Sequence, residues 1–127
     1  MNENQLAREI VDAAYQIHSK LGPGLFESVY EVVLSHELEK RSLVVERQKT
    51  IPIRYDKFEF DEGFRADIVV ENSVIIELKS VETISPVHKK QLLTYLRLAD
   101  MRLGLLINFG AVLIKNGISR VVNGLEE

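Results

Sequence analysis

The chain has 127 residues, 46% hydrophobic and 28% charged, a composition of ordinary folded proteins rather than of disordered segments. It contains no cysteine, which excludes disulfides, thiolate zinc sites, iron–sulfur ligation and thiol nucleophiles together. A formal net charge of −3 argues against a protein that coats polyanions with its whole surface, but the charge is uneven: residues 85–127 hold six basic and three acidic side chains.

The length predicts one domain over residues 1–127. No stretch approaches the ~20 apolar residues of a membrane span, and the start MNENQLAREI lacks a signal-peptide pattern. Cytoplasmic residence, without membrane association, is the expectation.

In chain order, Leu6, Ile10, Ala13, Ala14, Ile17 and Leu21 recur at helical spacing, and Gly22-Pro23-Gly24 stops that helix. A second helix is predicted from Leu25 to Arg41, with Phe26, Val29, Tyr30, Val33 and Leu34 as its apolar stripe. The period then changes. Leu43–Tyr55 reads as a strand with a bend at Pro52, and Phe64–Val70 and Val74–Lys79 read as two more, joined by Glu71-Asn72-Ser73. Ser85-Pro86 opens a third helix, in which Leu92, Leu93, Leu96 and Ala99 face a core. Leu103–Asn108 reads as a buried strand, and Ala111–Lys115 and Ile118–Val122 as small strands about Asn116-Gly117. The predicted order, α-α-β-β-β-α-β-β-β, fits an α/β fold with a mixed sheet flanked by helices.

The segment that carries chemistry is Arg65–Lys79. Strand alternation puts Glu77 and Lys79 on one face. A three-residue loop at 71–73 sets Val70 opposite Val74 and Asp67 opposite Glu77. Carboxylates that close repel unless a proton or a cation lies between them, and Mg²⁺ favours such hard oxygen ligands. The Leu78 carbonyl borders the same place, and Lys79 points to that side, where it can orient water or stabilise phosphate charge. A two-residue loop at Asn72-Ser73 would instead send Asp67 to the other face. A wet hairpin face on which Glu77 simply pairs with Lys79 explains the spacing equally well.

Asp67 followed by Glu77-Leu78-Lys79 resembles the PD-(D/E)XK nuclease motif, with Ala66 where that motif has proline. Gly24-Leu25-Phe26-Glu27-Ser28-Val29-Tyr30 resembles the signature of the GxxExxY protein family, which is usually placed within the same superfamily. The likeness continues through His36-Glu37-Leu38, Val44–Arg54, Gln91–Leu96 and Leu103–Gly110.

The resemblance implies a restriction-endonuclease-like fold and a Mg²⁺- or Mn²⁺-dependent nuclease acting on DNA or RNA. It implies Asp67, Glu77 and Glu27 as metal-binding acids, Lys79 as the catalytic lysine, and Gln91 and Tyr95 as a Q-x-x-x-Y pair beside the substrate. For Glu27 the alternative is a glutamate favoured by the helix dipole, and for Tyr30 and Tyr95 a core role with a bonded hydroxyl. His88 and Lys89, in the first turn of the third helix, are candidate phosphate contacts, with Lys90 beside them. A nuclease fold kept as a binding or regulatory module without turnover is the competing functional reading. A homodimer is a further expectation, since one site cuts one strand.

Overall fold

The computed structural model describes residues 1–126. The first helix, α1 (Glu3–Leu21), begins in a capping box: the Asn2 side chain accepts from the Gln5 N–H at 2.8 Å, and the Gln5 side chain accepts from the Asn2 N–H at 2.9 Å. Leu6, Ile10, Ala13, Ala14 and Ile17 are buried as their spacing predicts. Leu21 is exposed, because Gly22 (φ 73°) turns the chain away there.

The second helix, α2 (Glu27–Lys40), starts later than its apolar pattern suggests, and Phe26, its N-cap, is exposed. Its inward face is Tyr30, Glu31, Leu34, Ser35 and Leu38, so the buried stripe is rotated from the predicted one and includes a carboxylate. Tyr30 anchors the connection. Its hydroxyl donates to the Gly22 carbonyl at 2.6 Å and accepts from the Leu25 N–H at 3.2 Å, and its ring stacks on Phe109 at 4.3 Å.

Five strands form one sheet in the order β1-β2-β3-β4-β5: β1 (Val45–Tyr55), β2 (Phe58–Val70), β3 (Val74–Lys79), β4 (Leu103–Asn108) and β5 (Ile118–Val122). β3 and β4 are parallel and the other pairs antiparallel. The parallel pair needs a crossover, supplied by α3 (Pro86–Ala99), which Ser85 caps. The mixed sheet flanked by helices is as predicted.

The segment Ala111–Lys115 is not a strand. A short helical turn, α4 (Ile114–Gly117), stands there. Ile114 is buried against the core, and Gly117 passes so near the Asn108 carbonyl that a Cβ would lie 2.3 Å from that oxygen. Asn116-Gly117 thus serves a close approach rather than a hairpin.

The helices divide the core. On one face α1 and α2 cover Ile68, Val70, Val74, Ile76 and Leu78; on the other, Leu92 and Leu96 of α3 cover Val69, Ile75 and Leu106. Beyond the last β2–β3 pairs, Ile68–Val70 with Val74–Ile76, β2 continues outward paired with β1. That arm bends at a register shift spanning Pro52 and leaves Tyr55, Phe58 and Phe60 exposed. At the far ends of β3 and β4 the buried Asn108 side chain ties two loops. Its amide nitrogen donates to the Val81 carbonyl (2.9 Å), and its oxygen accepts from the Val81 and Gly110 N–H groups (both 3.0 Å).

Replacing Tyr30 by Phe keeps the stack on Phe109 but deprives the Gly22 carbonyl and the Leu25 N–H of their shared partner. The expected loss is about 1–2 kcal/mol of unfolding free energy. Urea denaturation of the two proteins measures it, and equal stabilities would show that the hydroxyl does not hold the α1–α2 connection.

Candidate active site

The register is the one that brings the acids together. Val70 pairs with Val74 and Ile68 with Ile76 across the loop at 71–73. The strands then part. With regular β2–β3 pairing ending there, carboxylates take over two backbone amides: the Asp67 N–H donates to Glu77 Oε2 at 3.1 Å, and the Leu78 N–H donates to Asp67 Oδ2 at 2.8 Å. Asp67 and Glu77 therefore face one gap, each closing the hydrogen bonding of the other's strand.

β1 is also irregular opposite Asp67. Arg47 pairs with Ile68 and Lys49 with Ala66, while Gln48 between them has φ 50°. A left-handed glutamine costs of order 1 kcal/mol or more. In that conformation its amide donates to Glu31 Oε1 at 2.6 Å and reaches Asp67 Oδ1 at 3.5 Å, the outer limit of a hydrogen bond. Glu31 is buried on α2 and also receives the Arg47 guanidinium, at 3.1 and 2.9 Å. Of the two acids on this face of α2, Glu31 is the one linked to Asp67. The sequence hints at Glu31 only by its place one helical turn from Glu27, and nothing local marks Gln48.

The pair is electrostatically costly. Burial, then the negative charge of Asp67, pushes the Glu77 carboxyl up to about 9, while nearby Lys79 pulls it the other way. In the absence of a cation, a proton held by the pair relieves the repulsion. Glu77 and Lys79 form no salt bridge among the described residues, so the simple ion-paired hairpin is not what the structure has. The Leu78 N–H points toward β2, and a strand residue's carbonyl leaves on the same side, so the Leu78 carbonyl borders the same gap.

The other predicted residues divide. Tyr95, half-buried on α3, stacks on Phe64 at 3.8 Å, and its hydroxyl is held above its ordinary value by burial and then by the charges of Glu77 and Asp67. It is therefore within electrostatic reach of the pair. Gln91, exposed, lies one turn before it on α3. His88 Nδ1 accepts from the Ser85 N–H at 3.3 Å and completes the α3 capping box, which gives it a structural partner. Lys89 is exposed and lines a cavity bordered by that first turn.

Glu27 is exposed at the start of α2. The loop before it touches the end of β3, where Ser80 Oγ donates to the Leu25 carbonyl at 2.5 Å. Even so, no group of three His, Cys, Asp or Glu side chains among the described residues gathers to hold a metal, so Glu27 does not join Asp67 and Glu77. Two carboxylates remain, and they fit a cation that binds through one or two carboxylates and otherwise through water and substrate oxygens, as Mg²⁺ does.

The Glu77 shift sets the sign of a pH effect. Between an ordinary carboxylate value of 4.5 and about 9, the folded protein holds a proton that the unfolded chain has released. Its stability therefore falls as pH rises through that window. Thermal unfolding of the metal-free protein is expected to show this decline, and Glu77→Gln to flatten it. A pH dependence identical in the two proteins would contradict the shared-proton arrangement.

No helix among the described residues is long and apolar enough to cross a membrane. Searches of curated proteins and of solved structures each returned no match. The family model of the PD-(D/E)XK nuclease superfamily matches residues 4–121. That match spans both helices before the sheet, every strand start and the acid pair, and with the restriction-endonuclease-like arrangement of mixed sheet and helices it shows that the chain belongs to the PD-(D/E)XK nuclease superfamily.

Proposed function

We propose that the protein is a nuclease that hydrolyses phosphodiester bonds of DNA or RNA with Mg²⁺ or Mn²⁺. The observation that carries this reading is the convergence of Asp67 and Glu77 on one gap, at a cost that only a proton or a cation offsets. Asp67 and Glu77 would hold the ion, with the Leu78 carbonyl beside them. When bound, the ion supplies charge neutralisation at the phosphate and a lowered pKa for a coordinated water.

The chain's own groups do the rest. Lys79, two residues along the strand from Glu77 and on its face, carries the ammonium that orients the water or meets a phosphate oxygen. Glu31 holds the Gln48 amide, which in turn reaches toward the Asp67 carboxylate and would help to orient it. Gln91 and Tyr95 place an amide and a hydroxyl on one face of α3, and the Tyr95 hydroxyl is near enough to the acids to feel their charge. Glu27 remains a candidate for contact with the ion's water rather than a third member of the pair.

A second reading, a binding module without turnover, draws on the same two hydrogen bonds. Carboxylates that close the β2–β3 gap have structural work to do even in a protein that binds no metal.

Incubation with single- and double-stranded DNA and RNA in Mg²⁺ or Mn²⁺ separates the two. The nuclease reading expects cleavage that Asp67→Asn or Glu77→Gln abolishes, and a loss of about 10²–10³-fold for Lys79→Ala. Cleavage that survives both acid substitutions would remove the pair from the mechanism. Gln48→Ala is expected to cost about 10–100-fold in activity, as for other groups that orient a metal-binding side chain. Full activity in that variant would show that the link from Glu31 to Asp67 is incidental.

A further inference from the structure

A second concavity lies on the same face of the sheet as the acid pair. Across the strands Glu77 is in register with Leu106, and Leu106 with Ser119, so Ser119 lies two strands from Glu77, roughly 10 Å away. Lys79 is in register with Asn108. Ser119 and Asn108 both line a cavity of about 740 Å³, closed on one side by the first turn of α3 and on another by the loop after β4.

Its lining combines two chemistries. Lys89 and Lys90 contribute ammonium groups against a single carboxylate, Glu82. Among the described residues neither lysine takes part in an ion pair, so both ammonium groups are available to a ligand. Opposite them Val112 and Leu113 are exposed, Val112 at 85%. Asn108 gives the cavity a fixed floor, since its side chain holds the two loops that form the walls. Unpaired cations facing apolar side chains in one hollow match a ligand with an anionic end and a flat, weakly polar body.

We propose that this cavity is a nucleotide subsite, in which Lys89 and Lys90 bind a phosphate of the substrate strand flanking the one at Asp67 and Glu77, and Val112 and Leu113 receive its sugar and base. The proposal rests on the nuclease reading for the identity of the ligand. Lysines act on phosphate as point charges and read no base edges, so the subsite is indifferent to sequence. It requires the substrate to extend beyond the cleaved bond on the α3 side, which selects a polynucleotide over a small phosphodiester.

The test uses the full chain and a short fluorescein-labelled oligonucleotide, as DNA and as RNA. Binding is read by anisotropy in the absence of divalent metal, over a range of salt. Lys89→Ala/Lys90→Ala is expected to weaken binding roughly tenfold or more and to reduce the slope of log affinity against log salt by about 0.7, for one neutralised phosphate on a single strand. A control with the same change in charge on α1, Arg8→Ala/Lys20→Ala, is expected to leave both nearly unchanged.

Hydrolysis in Mn²⁺ is measured alongside, and the lysine variant is expected to raise KM with little change in kcat. Equal losses in the two double variants, or none in either, would overturn the subsite. If cleavage persists in that case, the nuclease reading stands without it. Lysine-dependent binding with no cleavage by the wild type would sustain the subsite and overturn the nuclease reading. A wild type that neither binds nor cleaves would overturn both.

Discussion

Two carboxylates share the place where β2 and β3 separate, and the rest of the site is arranged around that fact. Each accepts a backbone N–H from the other's strand, so neither can leave without exposing an unpaired amide in a half-buried setting. Burial, and then the same closeness, makes ionisation of Glu77 unfavourable, which is why it holds its proton so far above the ordinary carboxylate range. The bonds that fix the acids thus also keep them near enough to need a proton or a cation between them.

Three parts of the fold enforce it. The turn at 71–73 sets the β2–β3 register. Gln48, held in a left-handed conformation between Glu31 and Asp67, marks where regular pairing across β2 breaks. The stack of Phe64 on Tyr95 fastens α3 over the outer part of β2. Tyr30 serves the opposite face, where its hydroxyl holds the Gly22–Leu25 connection and its ring packs on Phe109. In the Gly24–Tyr30 segment, the tyrosine is therefore a structural anchor, while the glutamate stands exposed at the helix start.

What was legible in the sequence follows from how local each cause is. The hairpin could be read because the strand period is two and the turn residues lie between two apolar runs, but its register only as one of two alternatives, which the pairing of Val70 with Val74 decides. The cap at Ser85 and the crossover helix could be read for the same reason. Gln48 could not, since a positive φ at a glutamine reflects the bonds its side chain makes to distant Glu31 and Asp67. The burial of Glu31 depends likewise on Arg47, which only the folded chain brings alongside. At Asn116-Gly117 a strong hairpin signal misled, because the glycine there meets a steric demand from the Asn108 backbone. The cavity beside α3 was visible only as an excess of basic residues in the last third of the chain; its walls come from segments far apart in sequence.

The chemistry of the site turns on whether a cation replaces the proton that the acid pair holds. Calorimetric titration of the protein with Mn²⁺ near neutral pH, in two buffers of different ionisation enthalpy, measures binding and proton release together. The arrangement of Asp67 and Glu77 predicts binding accompanied by release of close to one proton, and loss of that release in Glu77→Gln. Absence of binding, or binding with no proton released, would contradict it.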